Sequence, residues 1–191
     1  MIKYLNGSDI MKTPNYIDAK KRNFEKVNII RNFKINDELK NIGSNKKYLI
    51  KTYGCQMNER DSENISAILE NMGYKKAIDY NDADLIILNT CAIRENAHNK
   101  VFGMLGRLKH MKEERPLMIG LCGCMAQEEV VVNEIMKKYK YVNLVFGTHN
   151  IHELPEILNN AIKNNSRQIE VWSKEGDIVE DIPIKRESKY K

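Results

Sequence analysis

The chain has 191 residues, 42% of them hydrophobic and 30% charged, with a mean hydropathy of −0.55, enough for one ordinary core plus some extra segments. No apolar run approaches the ~20 residues of a membrane span, and Met1–Ser8 has no signal-peptide core, so a cytoplasmic protein without membrane contact is expected. The net charge of +5 is uneven: residues 1–48 hold eleven Lys/Arg and five Asp/Glu, whereas residues 49–191 hold twenty and twenty-one, which excludes a basic surface spread over the whole chain.

In chain order, residues 1–46 read as a basic extension, partly helical or disordered. Pro14 can open a helix in which Tyr16, Ala19, Phe24, Val27 and Ile30 share a side, ending near Phe33. An arm of this charge can follow nucleic-acid phosphates, or simply be solvated. Residues 41–47 are rich in turn formers and read as a linker.

From Tyr48 a regular alternation begins. Tyr48–Thr52 is a strand candidate, and after Cys55 the polar Asn58 is expected as helix N-cap with Asp61 in the first turn. Ile65, Ile68, Leu69 and Met72 follow helical spacing up to Gly73. Tyr74–Ile78 is a short second strand and Asp84–Asn89 a third, nearly all apolar, as in strands covered on both faces. After Cys91 a long helix buries Ala97, Val101, Met104, Leu105, Leu108 and Met111, and Pro116 stops it before strand Leu117–Leu121. A helix carrying Val131, Ile135 and Tyr139 follows Cys124, then strand Asn143–Phe146, then a helix over Asn150–Asn160 with Pro155 in its first turn. Gln168–Trp172 adds an edge strand, and residues 173–191 form a charged linker. Five strand–helix alternations specify an α/β fold: a Rossmann- or flavodoxin-like parallel sheet of about five strands with helices on both faces, in one domain over residues 47–172.

Three of the four cysteines, Cys55, Cys91 and Cys124, each follow a candidate strand. In the 2-1-3-4-5 strand order, strands 1, 3 and 4 are neighbours about 4.8 Å apart, so their exit loops meet at the edge where such folds bind ligands. Helix N-termini at that edge favour the thiolate, the form that binds metal. Three thiolates can serve three irons of a four-iron cluster and leave the fourth iron open. Two other uses stay open: burial as small hydrophobes, and zinc, for which His149 after the fifth strand would be the fourth ligand. Cys122 lies inside its strand and reads as core. A nucleotide site is disfavoured, because Tyr53–Asn58 contains no Gly-rich phosphate loop.

The segments 51–63 (Lys-Thr-Tyr-Gly-Cys-Gln-Met-Asn-Glu-Arg-Asp-Ser-Glu), 89–97 (Asn-Thr-Cys-Ala-Ile-Arg-Glu-Asn-Ala), 123–127 (Gly-Cys-Met-Ala-Gln) and 146–150 (Phe-Gly-Thr-His-Asn) resemble the N-terminal domain of the radical S-adenosylmethionine methylthiotransferases. Gln56–Asn58 and Ala92–Glu95 resemble the branch that modifies N6-dimethylallyladenosine in tRNA. The resemblance implies that Cys55, Cys91 and Cys124 ligate an auxiliary [4Fe-4S] cluster used in adding a methylthio group to C2 of that adenosine at tRNA position 37. It further implies a second [4Fe-4S] cluster and S-adenosylmethionine in a separate radical domain, and a C-terminal β-barrel domain that helps bind RNA. The Cys-x-x-x-Cys-x-x-Cys pattern of the radical domain is missing from these 191 residues. The chain is therefore expected to be the N-terminal piece of a longer, monomeric enzyme, with no catalytic residue of its own and inactive alone. Asn58, Arg60, Arg94 and His98, beside two of the cysteines, are candidates for RNA or pocket contacts.

Overall fold

In the computed structural model, residues 29–30, 33–92, 95–171 and 178–179 are described. Strand β1 (Lys47–Tyr53) leads into α1 (Gln56–Asn71), β2 (Lys75–Lys76), β3 (Leu85–Thr90), α2 (Glu95–Glu114), β4 (Met118–Gly123), α3 (Glu129–Lys138), β5 (Leu144–Phe146), α4 (Leu154–Asn164) and β6 (Gln168–Glu170). The six strands pair in parallel in the order β2-β1-β3-β4-β5-β6. The expected five-strand order is present, extended by the edge strand at Gln168–Glu170. Ile29–Ile30 and Ile178–Val179 pair separately as a two-residue parallel ladder.

The alternation of side chains along each strand divides the core into two layers. Leu85, Ile87, Leu144 and Phe146 pack with Ile65, Ile68 and Leu69 of α1 and Leu154 and Leu158 of α4. Ile86, Leu88, Ile119 and Leu121 point the other way, against Val101, Leu105 and Leu108 of α2 and Val131 and Ile135 of α3. Both faces of the sheet are thus covered, which explains why all six residues of β3 are buried. Each fully buried Leu or Ile contributes about 2 kcal/mol of transfer free energy.

Several expectations need correction. The N-cap of α1 is Cys55, and Asn58 sits three residues on, inside the first turn. The second strand is two residues long, Lys75–Lys76. The helix expected over Asn150–Asn160 begins only at Leu154, after a 3-10 turn over Thr148–Glu153, and runs to Asn164. Pro155 sets that start, because its missing N–H and fixed φ are tolerated only in a first helical turn. A 3-10 turn, Cys124–Gln127, likewise precedes α3. Residues 33–46, read with the extension, lie on the domain: Leu39 is buried, and Phe33, Ile35 and Ile42 pack against the layer under α1 and α4. The Pro14-led helix and Trp172 lie outside the described residues.

Candidate functional site

The register of the sheet sets the level at which the thiols emerge. Thr52, Asn89 and Cys122 form one row across β1, β3 and β4, and Tyr53, Thr90 and Gly123 form the next. Cys55 follows that last row by two residues, and Cys91 and Cys124 by one. The backbone N–H of Cys91 still donates to Tyr53 O at 3.0 Å, so the second loop leaves the sheet tied to the first.

Cys55 caps α1 in an extended conformation, φ −90° and ψ −175°. Asn58 Oδ1 accepts the Cys55 backbone N–H at 3.1 Å and lies 3.4 Å from Cys55 Sγ, which can donate to it. A Cβ on residue 54 would collide with the Asn58 side chain, so Gly54 is what lets the amide fold back under the cysteine. Asn58 is 1% exposed, and its Nδ2 donates to Asn89 Oδ1 at 3.2 Å and Thr90 O at 3.3 Å. Asn89, fully buried, returns the contact: its Nδ2 donates to Asn58 O at 2.7 Å and to Ser62 Oγ at 2.9 Å. Ser62 Oγ in turn lies 2.8 Å from Thr52 Oγ1.

The third loop joins the same set of polar groups. Thr90 Oγ1 donates to Cys122 O at 2.7 Å. Gly123, at φ +98°, turns the chain so that its α-carbon lies against Thr90 O and Asn89 Oδ1, where a Cβ would collide. The turn exposes Cys124 partly while Cys122 remains 1% exposed, packed in the layer under α1. The placement of Cys122 matches its reading as a core residue.

Electrostatically the thiols differ. The backbone N–H groups of Asn58 and Met57, in the first turn of α1, hold the Cys55 thiol below its ordinary pKa, and the neighbouring Cys91 side chain adds to this. Burial pushes Cys124 up, and the charges of Cys91, Asp61 and Cys55 reinforce the rise. Burial raises Cys122 well above the ordinary thiol value. Asp61, one turn beyond Asn58, is raised to about 6 by burial, against the opposing pull of Arg60 and His149. The three strand-exit thiols therefore feel one another, with a carboxyl group beside them. Among the described residues, no three His, Cys, Asp or Glu side chains are grouped to hold a single metal ion. One zinc ion needs ligand sulfurs about 2.3 Å from a common centre, whereas in a cluster each thiolate takes its own iron and the sulfurs stand farther apart.

The remaining candidates separate. Arg60 is exposed beside Asp61, Arg94 lies outside the described residues, and His98 is half-buried with its ring 4.5 Å from Phe102, which continues to Tyr139 at 5.0 Å. His149 is exposed, near enough to Asp61 to affect its charge. Asn58 is too buried to meet a solute and instead bonds the Cys55 and β3 backbones. Sequence reasoning missed Asn89 and Thr90 as site residues, although two polar residues ending a strand of four buried aliphatic residues were a readable signal. It also missed Asp61 as a neighbour of the thiols, for which one helical turn from Asn58 was the available clue.

A family model described as "Uncharacterized protein family UPF0004" matches residues 47–147. Proteins named tRNA-2-methylthio-N(6)-dimethylallyladenosine synthase from Staphylococcus aureus strains JH9 and Newman are 53% identical to the chain over 183 residues, covering 95% of the chain and 36% of each relative. The chain thus spans about a third of the length of these curated relatives.

Proposed function

The chain belongs to the uncharacterized protein family UPF0004, and on that premise we propose that it forms the auxiliary-cluster domain of a tRNA methylthiotransferase. The substrate is assigned as tRNA carrying N6-dimethylallyladenosine at position 37, methylthiolated at C2 of the base, a reading supported by the name of relatives that match 95% of the chain. The cluster is assigned as [4Fe-4S], held by Cys55, Cys91 and Cys124. The observation that carries this is the meeting of three thiol-bearing loops on neighbouring strands β1, β3 and β4, whose thiols shift one another's ionisation. The donor set fits in its chemistry: three soft thiols from three loops on adjacent strands.

When bound, a three-thiolate cluster supplies one iron without a protein ligand, at which sulfur can be held for transfer. The chain's own residues do the rest. The N–H groups at the start of α1 lower the Cys55 pKa and so favour its thiolate, the form that binds metal. The Gly123 turn presents Cys124 at the rim and keeps Cys122 in the core. Asp61, raised by burial to about 6, sets beside the thiols a carboxyl group that takes up a proton more readily than a free one. Radical chemistry is assigned to a further domain carrying a second [4Fe-4S] cluster and S-adenosylmethionine, with a β-barrel domain for RNA, a reading supported by relatives of which the chain spans only 36%. The chain alone is then catalytically inactive, and its setting is the cytoplasm. Among the described residues no helix is long and apolar enough to cross a membrane.

The test is anaerobic iron–sulfur reconstitution. About four irons per chain with broad visible absorption are expected, and both should vanish when Cys55, Cys91 and Cys124 are replaced together by Ala. Full iron loading of that triple variant overturns the proposal. Stoichiometric zinc in the purified chain, with no iron uptake, would favour a non-enzymatic Rossmann-like module instead.

A further inference from the structure

We propose that the buried amide pair Asn58–Asn89 is the positioning device of the site: it fixes the three cysteine loops relative to one another, so that the thiols are presented as a set before any metal arrives. The inference rests on the reading that these thiols hold a cluster.

The connectivity is specific. Asn58 lies three residues after Cys55, Asn89 and Thr90 immediately precede Cys91, and Gly123 immediately precedes Cys124. The Asn58 amide uses its oxygen on Cys55 and both of its N–H bonds on β3, one to Asn89 Oδ1 at 3.2 Å and one to Thr90 O at 3.3 Å. The Asn89 amide uses both of its N–H bonds on α1, one to Asn58 O at 2.7 Å and one to Ser62 Oγ at 2.9 Å. The third loop closes against the same groups, because the α-carbon of Gly123 sits on Asn89 Oδ1 and Thr90 O, and Thr90 Oγ1 bonds Cys122 O at 2.7 Å. Displacing any one of the three loops strands a buried donor or acceptor, and a buried polar group without its partner is unfavourable by ~1–3 kcal/mol.

Stability alone does not account for this arrangement. β3 is otherwise Leu85-Ile-Ile-Leu88, and Asn89 is as deeply buried as they are. Apolar side chains in place of both Asn58 and Asn89 would fill the same space without stranding either amide, and buried polar networks are commonly neutral or worse for stability than apolar packing. What an apolar side chain cannot do is hold α1, β3 and the β4 exit at one hydrogen-bonded spacing. A wholly local role, Asn58 capping the Cys55 N–H, leaves Asn89 unexplained, since among the described residues the Asn89 amide bonds Asn58 and Ser62 and no cysteine side chain.

The test uses the whole chain, reconstituted anaerobically, with Asn89→Leu, Asn58→Ala and, as control, Ser66→Ala, which removes a buried contact between α1 and Tyr48 away from the thiols. Folding is checked by circular dichroism and urea melting, and the readout is the rate of iron loss to a chelator. Folded Asn89→Leu and Asn58→Ala are expected to lose iron at least about tenfold faster than the parent, and Ser66→Ala at the parental rate. A folded Asn89→Leu that retains iron like the parent overturns the proposal, as does a Ser66→Ala equally impaired. If neither variant folds, the parent decides: in the metal-free chain, hydrogen exchange of the Asn58 and Asn89 side-chain amides should be strongly slowed, and exchange at the rate of a free amide overturns the idea. The amide measurement needs no iron, so a parent that takes up no iron refutes the cluster reading separately.

Discussion

The two edges of this sheet close their loops by opposite means. At the amino end, cations hold backbone carbonyls and one side-chain amide oxygen. Lys112 reaches Tyr141 O at 2.9 Å and Asn143 Oδ1 at 2.5 Å, Arg115 reaches Tyr80 O at 2.7 Å, and Arg167 spans Val142 O, Ile135 O and Met136 O at 2.8, 3.2 and 3.4 Å. Arg167 thereby neutralises the carbonyl end of α3, where a positive charge is favoured by the helix dipole. At the carboxyl end, neutral amides and hydroxyls do the tying, Met57 and Val130 are 76% and 78% exposed, and Asp61 is half-buried against its own charge. The amino end has the chemistry of stability. The carboxyl end has groups that stability alone would not select, and that is where the thiols are.

The contrast can be broken by substitution. The largest effect is expected from Gly123→Ala, which forces a Cβ into Thr90 O at φ +98°; urea unfolding should show a loss of about 3 kcal/mol or more. A loss below ~0.5 kcal/mol would mean that the turn is not the tight junction described. Next, Arg167→Met should lower stability by about 2 kcal/mol through three stranded carbonyls, with iron loading unchanged; impaired loading would erase the distinction between the edges.

Asp61→Asn should act in the opposite sense. The Asp61 carboxyl is raised from 3.8 to about 6 in the folded chain, so folding takes up a proton between those values. The favourable contribution of the protonated form is complete below about pH 4 and lost as pH rises through about 6. The Asn variant should therefore gain about 1 kcal/mol at pH 8, allowing for solvent screening of a partly exposed group, and little at pH 4. Equal urea midpoints for the two proteins at pH 8 would refute a buried, charge-penalised Asp61. Smallest of all, Met57→Ala should change stability by less than ~0.5 kcal/mol, since its side chain is mostly in solvent; a larger loss would place Met57 in the core.

The parallel sheet, the strand order around β1, β3 and β4, and the three strand-exit cysteines were legible in the sequence. Hydrophobic runs of five or six residues ending at a cysteine or glycine are a local signal, and the crossover rules then limit the topology. The N-cap of α1 was not legible. Asn58 has the preferred cap chemistry, but its amide is drawn into contact with Asn89, 31 residues away, and Cys55 is left to cap the helix. The short β2 and the late start of α4 escaped for a related reason, since Tyr74–Ile78 has strand propensity with only two residues of β1 to pair with, and Ile151 has helical spacing ahead of a proline that delays the helix. Asn89 and Asp61 show the limit most clearly: residue type and spacing indicate what a side chain can do, and only the tertiary neighbours decide what it meets.

The most direct test of the three-thiol set is a count of iron per chain after anaerobic reconstitution of four single variants side by side: Cys55→Ala, Cys91→Ala, Cys124→Ala and Cys122→Ala. Cys122→Ala is expected to hold about four irons, as the parent does, and each of the other three to fall well below that. Full loading of any of those three, or a loss in Cys122→Ala as large as theirs, would contradict the assignment of Cys55, Cys91 and Cys124 as one site.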